Sequence, residues 1–176
     1  MDKQLDDLYS FIVDNTPFVF LFSIVLFLAF TSIYVVEPGF RGIIYRSGEF
    51  KSISGPGIHV KFSIFDSVVP VSISSQKIID SYFLLSKDKQ SIRAKIVVNY
   101  ALNPLRLREI FLKYYLAYEQ RALKPQILIV LKSRVGQFTF DEIIKGGDGF
   151  NDMILEELQG VFNSQGFDIE SIQIKY

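Results

Sequence analysis

The sequence predicts an α+β protein in which a single transmembrane helix precedes a water-facing domain. Three observations support this fold class. An uncharged apolar stretch fills residues 18–36, patterns of period two dominate residues 37–102, and helical patterns fill residues 103–166 ahead of a closing strand at residues 167–176. Proteins of the α/β class alternate strands and helices, whereas here a β-rich part precedes a helical part, so the order favours α+β.

The stretch Phe18–Val36 runs for 19 residues without a charge, glycine or proline. As a helix it would be roughly 28 Å long, which matches the hydrocarbon core of a bilayer. Thr16 and Pro17 fit the cap and first turn of this helix, and Tyr34 fits the membrane interface. The predicted membrane-spanning residues are Phe18, Phe20, Leu21, Phe22, Ile24, Val25, Leu26, Phe27, Leu28, Phe30, Ile33, Tyr34, Val35 and Val36.

A buried core helix and a cleaved signal peptide are the alternative interpretations of this stretch. A domain of this size has too little material to cover a helix that is apolar on all sides. A signal peptide begins with basic residues and ends at a small-residue cleavage site. This chain begins with acidic residues, and Val35, Val36 and Glu37 make a poor cleavage site. A transmembrane helix is therefore the favoured interpretation.

Residues 1–17 are predicted to form a short acidic tail. They carry one lysine against four aspartates, a net charge of −3, whereas the whole chain has a formal net charge of 0. The rest of the chain therefore has a small positive excess, spread along the domain. Nucleic-acid-binding proteins concentrate their basic residues in one stripe, so this distribution argues against nucleic acid and is compatible with a position near anionic lipid.

The basic residues near the helix bear on its orientation. Lys3 precedes the helix, and Arg41, Arg46 and Lys51 follow it. Because basic residues are enriched on the cytoplasmic side of membrane proteins, this count favours a cytoplasmic domain.

The domain is predicted to begin with short strands and one long hairpin. Pro70 indicates an edge or bulged position for the strand that contains it. Alternate residues from Ile92 to Tyr100 are apolar, and this period of two predicts a half-buried strand. The predicted strands are Gly42–Arg46, His59–Phe62, Val68–Ile73, Gln76–Leu85 and Ser91–Tyr100, with a turn at Ser54–Gly57.

Four helices are predicted in the second half of the domain. Asn103 and Pro104 begin the first, and a capping box from Thr139 to Glu142 begins the third. The four helices are predicted to cover Asn103 to Tyr115, Tyr118 to Val135, Thr139 to the glycines at 146 and 147, and Phe150 to Gln165. The strand Phe167–Tyr176 closes the domain.

The polar residues offer little that fits an active site. His59 is the only histidine, so a catalytic triad or a histidine-based metal site lacks partners, and a structural or solvated role is expected. Asp66, Asp80 and Asp88 are dispersed among predicted strands, and Asp88 lies in a turn, where aspartate is common. The chain has no cysteine, which excludes disulfides and cysteine-ligated metals.

Two further polar segments have ordinary structural explanations. Asp141 and Glu142 fit the capping of a helix start. The segment Gly146–Gly149 lacks the lysine and hydroxyl residue of a phosphate-binding loop. We therefore predict no catalytic residue, no cofactor-binding or metal site and no enzymatic activity.

The apolar loop residues Phe62, Ile64 and Phe65 have two interpretations. They either fill the core of the domain or dip into the boundary of the membrane. The second interpretation makes them candidates for contact with the membrane surface.

Five segments, taken in order, resemble the SPFH (band 7, prohibitin-homology) domain. They are Val36–Gly48, Gly55–Asp66, Leu84–Tyr100 with Asn103 and Pro104 after it, Gly136–Ile144, and Gly166–Ile174. No single segment is specific, but five in the correct order make a strong match. The resemblance is closest to prohibitins and to the bacterial modulators of the FtsH protease.

This resemblance implies an oligomeric membrane scaffold. Members of the family assemble into rings or cages, mark off membrane patches and regulate partners such as membrane AAA+ proteases. The resemblance to prohibitins and FtsH modulators also favours a domain on the side opposite the cytoplasm. Two features depart from the family. Ser63 stands where proline is usual in the family. Family members also continue into a long coiled coil, whereas this chain stops at Tyr176. The chain is therefore expected to be either a minimal member or a fragment.

Three functions follow, of which a non-catalytic scaffold is favoured. The alternatives are an accessory subunit that caps or modulates assemblies of longer family members, and a membrane-tethered enzyme, for which no nucleophile–base pair is visible. The expected partners are the lipid bilayer, SPFH proteins in a homo- or hetero-oligomer and a membrane AAA+ protease, but no nucleic acid. Lateral contacts are expected on Gln76–Tyr100 and Tyr118–Val135.

Overall fold

The computed structural model describes residues 2–62 and 64–175, without the side chains of residues 2–15 and of Asp148. The expectation for the loop shape at Ser63 and the last residue of the closing strand, Tyr176, lie outside the described residues. The chain forms two compact units, residues 2–38 with 42–69 and residues 39–41 with 70–175.

The first unit contains one helix and most of five strands. The elements are α1 (Asp2–Thr31), β1 (Ile33–Val36), β2 (Phe40–Arg46), β3 (Glu49–Ser54), β4 (Gly57–Val60) and β5 (Asp66–Ser72). Strands β1 and β4 pair as an antiparallel ribbon. A second sheet has the order β3-β2-β5, and the first residues of β2 and the last of β5 belong to the second unit.

The predicted transmembrane helix is wrong at both ends. Helix α1 begins at Asp2 in the predicted acidic tail, so that Pro17 lies inside it, and it ends at Thr31. The residues predicted as its last turn, Ile33–Val36, form β1. Their β-branched and aromatic side chains favour a strand, and pairing with β4 satisfies the backbone. Within the described part of the chain, no helix combines the length and the apolar character that crossing a membrane requires.

The second unit is a three-stranded antiparallel sheet with helices packed on one face. Its strands are β6 (Gln76–Leu85), β7 (Ser91–Leu102) and β8 (Phe167–Lys175), in the order β6-β7-β8. Its helices are α2 (Leu107–Tyr114), a 3₁₀ turn (Tyr115–Ala117), a π-helical segment (Glu119–Leu123), α3 (Lys124–Val135) and α4 (Phe140–Asn163). The β-rich first half, the helical second half and the closing strand are confirmed.

The hairpin β6–β7 follows its predicted pattern. The side chains of Ile92, Ala94, Ile96, Val98 and Tyr100 are all buried on one face of β7. Strand β7 pairs with both β6 and β8, so it is the central strand of the sheet. Burial of this apolar row against the helices accounts for the core of the second unit.

The first helix departs from prediction. It begins at Leu107 rather than at Pro104, because Asn103 accepts the Arg106 N–H in a turn ahead of it. The predicted interruption at the glycines is present, since α4 consists of two helical parts separated by a kink at Gly147, whose φ of 47° is not helical. The predicted capping box is confirmed, since the Thr139 hydroxyl accepts the Glu142 N–H and the Glu142 carboxylate accepts the Thr139 N–H.

Candidate membrane-contact surface

The ribbon of β1 and β4 exposes apolar side chains on one face. Ile33 lies opposite Val60, and Val35 lies opposite Ile58. Since directly paired residues share a face of a sheet, these four side chains form one row, and all four are exposed. Four β-branched residues turned toward solvent are unusual for a water-facing ribbon and indicate a contact surface.

The other face of this ribbon holds the single histidine. The ring of His59 stacks on Tyr34 with the centroids 5.5 Å apart. Its Nε2 atom lies 2.8 Å from the carbonyl oxygen of Gly55. These contacts agree with the structural role expected from the sequence.

The loop between β4 and β5 exposes the three apolar residues that the sequence singled out. Phe62 is 67% exposed, Ile64 72% and Phe65 61%, so they do not fill the core. The carbonyl oxygen of Phe62 accepts hydrogen bonds from the N–H groups of Phe65 (3.1 Å) and Asp66 (2.8 Å). The Phe65 carbonyl accepts the Ser47 N–H at 3.2 Å. The loop therefore presents its apolar side chains from a hydrogen-bonded turn.

Asp66 anchors the base of this loop. Its carboxylate is 2% exposed and accepts bonds from Arg46 Nε at 2.6 Å and Arg46 Nη2 at 3.0 Å. The ammonium of Lys51 lies 3.5 Å away, and the Phe62 N–H donates to the same carboxylate at 3.2 Å. Arg46, the Phe62 N–H and Lys51 together hold the pKa of Asp66 well below its usual range.

The same two cations also contact the apolar loop. The guanidinium carbon of Arg46 lies 5.2 Å from the ring centroid of Phe62, and Lys51 Nζ lies 5.8 Å from it. This arrangement was not predictable from the sequence, because Arg46 and Asp66 are 20 residues apart and belong to different strands. No motif spacing signals such a pair.

The end of α1 lies beside the loop. Leu28 and Ser32 line one open pocket together with Phe62, Ile64 and Phe65. The apolar half of α1 is largely exposed, and its exposed residues include Phe18, Val19, Phe20, Leu21, Phe22, Ile24, Val25, Leu26, Phe27 and Phe30. Helix, ribbon and loop thus all expose apolar residues within the first unit, and we call them together the apolar surface.

Not every predicted membrane residue belongs to the apolar surface. Val36 is buried, and Tyr34 is half-buried against His59. Ile33 and Val35 are exposed, but on a strand rather than on a helix.

The polar residues considered in the second unit all have structural partners. Asp80 forms a salt bridge of 3.1 Å with Lys124. Asp88 accepts the Ser86 hydroxyl at 2.5 Å and the Phe140 N–H at 3.2 Å, and so joins the hairpin turn to the start of α4. These bonds lower the pKa of Asp88, with the Ser86 hydroxyl as the main cause. The turn role predicted for Asp88 is confirmed.

The contacts of one buried tyrosine hydroxyl were not predicted from the sequence. The hydroxyl of Tyr100, near the end of the central strand β7, lies 2.6 Å from Glu119 Oε1 and 3.2 Å from Gln76 Oε1. Burial and the hydrogen bond to Glu119 raise the pKa of Tyr100. Glu119 is the first residue of the π-helical segment, and a short π-helix was not predictable from apolar periodicity.

A family model described as "SPFH domain / Band 7 family" matches residues 34–176. The chain is 27% identical over 127 residues to the modulator of FtsH protease HflK of Escherichia coli, which covers 71% of this chain and 29% of the relative. It is 25% identical over 162 residues to a stomatin homologue of Pyrococcus horikoshii, and the match covers 91% of this chain and 58% of the relative. An uncharacterized protein of Archaeoglobus fulgidus is 27% identical over 158 residues, and the match covers 88% of this chain and 61% of the relative. The chain therefore spans between 29% and 61% of the length of these relatives.

Proposed function

The chain belongs to the SPFH domain / Band 7 family, and we propose that it is a non-catalytic, membrane-attached scaffold that oligomerises and regulates membrane partners. The apolar surface of the first unit is the observation that carries this proposal. Groups of large exposed apolar side chains are uncommon on monomeric water-soluble domains and mark contact surfaces, and lipid is a partner that would cover all three parts of the apolar surface.

Residues 18–31 of α1 are proposed as the segment that attaches the chain to the membrane. The side chains along this segment are exposed around the helix, with Phe18 and Phe30 near its two ends. A helix that is apolar on all sides has no polar face to turn toward water, and lipid would bury its apolar side chains without a protein partner. The acidic first half of α1 would then remain outside the hydrocarbon.

The loop adds a second point of contact. Full burial of a phenylalanine or isoleucine side chain in an apolar phase contributes about 1.5–3 kcal/mol. Three such residues on a hydrogen-bonded turn therefore add several kcal/mol without ordering a flexible segment first. Arg46 and Lys51 at the base of the loop suit the headgroup layer, where cations meet anionic groups.

Oligomerisation and partner regulation are proposed from the family and from the relatives. One relative is described as a modulator of the FtsH protease. We propose that partners of the present chain include other SPFH proteins and a membrane AAA+ protease, with lateral contacts on the hairpin β6–β7 and on residues 118–135. Confinement to a membrane raises the effective concentration of copies, so weak lateral contacts are sufficient.

Tryptophan fluorescence tests the membrane contact. The chain has no tryptophan, so each substitution creates a single probe. Deletion of residues 1–36 would remove β1, and the full chain is therefore used. We expect Phe65→Trp and Phe30→Trp to show blue-shifted emission and quenching by brominated phosphatidylcholine in vesicles. Leu105→Trp is the control, because Leu105 is 93% exposed on the second unit.

Three results are decisive for this test. Emission from Phe65→Trp that is unchanged by vesicles would remove the loop from the membrane contact. Emission from Phe30→Trp that is unchanged by vesicles would show that α1 is not part of the membrane contact. Equal quenching of Leu105→Trp would show that the contact is unspecific.

Sedimentation in mild detergent tests the scaffold. We expect assemblies larger than a monomer and co-purification with a longer SPFH protein or a membrane AAA+ protease. A monomer that turns over a substrate would contradict the scaffold and favour a tethered enzyme.

A further inference from the structure

Helix α2 and the turn after it expose apolar side chains on the second unit. Leu112 of α2 is 53% exposed, and Tyr115 and Leu116, three and four residues further on, are 51% and 50% exposed. Because all three lie so close together along the chain, they form one group, which we call the α2 patch. Grouped large apolar side chains that face solvent mark contact surfaces.

The backbone of Tyr115 has a conformation that normally requires glycine. Its φ is 54° and its ψ is −142°, at the point where α2 ends and the 3₁₀ turn begins. For a bulky aromatic residue this conformation is unfavourable, and it persists only where the surrounding structure fixes it. Since half of the side chain remains exposed, a partner that covers the ring would offset this cost.

Exposed cations accompany the α2 patch on α2 and on the π-helical segment. They are Arg108, Lys113 and Arg121. None of the three forms a salt bridge with another residue that the structure describes. Glu109 is the exposed acidic residue of the same stretch, while Glu119 is half-buried and bonded inside the unit. The surroundings of the patch therefore carry an excess of positive charge.

The second part of α4, after its kink, is acidic. Residues 150–163 contain three acidic residues and no lysine or arginine. One of the three, Glu157, pairs with Arg134 of α3. Asp152 and Glu156 are exposed and have no salt bridge to any described residue. The second unit thus has an acidic surface whose charge is opposite to that around the α2 patch.

Gly160 leaves an open place on the same side of α4. Asp152, Glu156 and Gly160 are spaced by four residues, so they form one row along the helix, which we call the acidic face. A Cβ atom at Gly160 would meet no atom of a neighbouring element within 4 Å. Glycine inside a helix reduces the stability of that helix, and packing within the unit gives no reason for it here. A ring placed over the bare backbone by a second copy would supply such a reason.

The α2 patch and the acidic face are neighbours on the second unit. Ser164, one turn after Gly160, lines an open pocket together with Lys113 of α2. Two complementary surfaces that lie side by side can each meet the other when two copies are related by a two-fold axis. Such an arrangement makes every contact twice, so a second copy of this chain matches the charges on both surfaces at once.

We propose that the α2 patch of one copy packs on the acidic face of a second copy, with Tyr115 over Gly160 and the cations of α2 beside Asp152 and Glu156. The inference rests on the proposed oligomerisation, for which it names a pair of surfaces separate from the hairpin β6–β7. The contact is small, and confinement of the copies at a membrane makes a weak contact sufficient.

Cysteine cross-linking of the full chain in mild detergent tests the contact, because the chain has no cysteine of its own. One copy carries Leu116→Cys, and a copy with a different tag carries Gly160→Cys. Mild oxidation of the mixture should give a disulfide-linked dimer of the two, and far less of it should form from either variant alone. Leu105→Cys mixed with Gly160→Cys is the control, because Leu105 is 93% exposed but lies outside the α2 patch.

Charge exchange then tests the ion pairs. Arg108→Glu with Lys113→Glu, added to the first copy, turns two exposed attractions into repulsions. This should weaken the contact about tenfold or more and lower the cross-linked yield. Asp152→Lys with Glu156→Lys, added to the second copy, should restore the yield, because both surfaces of the mixed pair are then complementary again.

Lys145→Glu with Lys175→Glu makes the same change in net charge at exposed positions outside both surfaces and should leave the yield unchanged. An equal loss in this control, or a loss that the compensating exchange does not restore, would overturn the inference. Equal cross-linking of the Leu105→Cys control would also overturn it. The cysteine pair alone remains decisive if thermal unfolding shows that a charge variant does not fold.

Sedimentation of the same samples separates this inference from the proposed function. Assemblies of the wild-type chain without the cross-link between residues 116 and 160 would overturn only the contact named here and leave the oligomeric scaffold standing. A wild-type chain that sediments as a monomer would overturn the proposed oligomerisation, and this contact with it.

Discussion

Asp66 and Arg46 form a two-point ion pair in which the carboxylate is nearly inaccessible to water. The two hydrogen bonds measure 2.6 and 3.0 Å, and the same carboxylate also accepts the N–H of Phe62. The pair therefore joins β2, the start of β5 and the exposed apolar loop. Its geometry makes the shape of the loop dependent on one charged group.

The first prediction concerns the substitution Asp66→Asn. The amide keeps the size of the side chain but leaves Arg46 and Lys51 without their counter-charge. Its single oxygen cannot accept hydrogen bonds from both guanidinium nitrogens of Arg46 and from the Phe62 N–H. We expect a clear loss of stability and faster hydrogen exchange in the loop. Urea unfolding and amide exchange measure the two effects.

Asp152→Asn is the matched control for this substitution. Asp152 is exposed on α4, so the same chemical change there should leave the unfolding midpoint nearly unchanged. If Asp66→Asn is as harmless as the control, the ion pair does not hold the loop.

The second prediction is the pH dependence of the same pair. The folded-state pKa of Asp66 is lowered, whereas the unfolded value is about 4. The contribution of the carboxylate to stability is therefore fully present above pH about 4 and is lost as the pH falls below that value. The stability difference between wild type and Asp66→Asn should be constant near neutral pH and shrink in acid. A difference that instead shrinks on raising the pH above neutral would contradict the assignment.

The third prediction compares two glycines near the end of the chain. Gly166 has φ +89°, and a Cβ atom there would lie 2.7 Å from the Cβ of Arg106. Gly166→Ala should therefore cost at least about 1–2 kcal/mol of unfolding free energy. Gly160 lies inside α4 with open space around it, so Gly160→Ala should stabilise by about 0.5–1 kcal/mol. Opposite signs in urea unfolding support the assigned backbone, and equal signs would refute it.

The fourth prediction concerns the start of α4. Thr139→Ala removes the side chain that caps this helix and should cost about 1 kcal/mol. Thr139→Ser keeps the hydroxyl and should be nearly neutral. Thermal or urea unfolding distinguishes the two variants, and similar losses in both would show that the methyl group rather than the cap matters.

The parts of the fold that follow from local patterns were predictable. The hairpin β6–β7 shows period two over its second arm, and the capping box at Thr139 is a short-range signal. Strand β1 was missed because the apolar run Ile33–Val36 continues the apolar helix without a break, and only its pairing with β4 distinguishes it. Strand β3 was missed because its residues, Glu49–Ser54, alternate weakly.

The candidate membrane surface was predictable only where its residues are neighbours in the sequence. Phe62, Ile64 and Phe65 are adjacent in sequence, so an apolar loop was visible, but its exposure depends on packing. The Asp66–Arg46 pair and the Tyr100–Glu119 contact join residues that are 20 and 19 positions apart. Such pairs depend on strand register and on the π-helical segment, which hydrophobic periodicity does not encode.

The last prediction tests the contact between Tyr100 and Glu119. Tyr100 is fully buried, and its hydroxyl is 2.6 Å from the Glu119 carboxylate. A hydrogen bond to a charged group contributes about 1.5–3 kcal/mol, so Tyr100→Phe should lower the unfolding free energy by that order. Tyr115→Phe, at an exposed position, should have almost no effect.

A double-mutant cycle with Glu119→Gln separates this hydrogen bond from general effects of packing. Because the neutral amide is a weaker acceptor than the carboxylate, Tyr100→Phe should cost less in the Glu119→Gln background than in the wild type. A coupling energy near zero would mean that the tyrosine hydroxyl acts through Gln76, which lies 3.2 Å away, rather than through Glu119. The π-helical segment would then have no role in providing a hydrogen-bond partner for the buried hydroxyl of Tyr100.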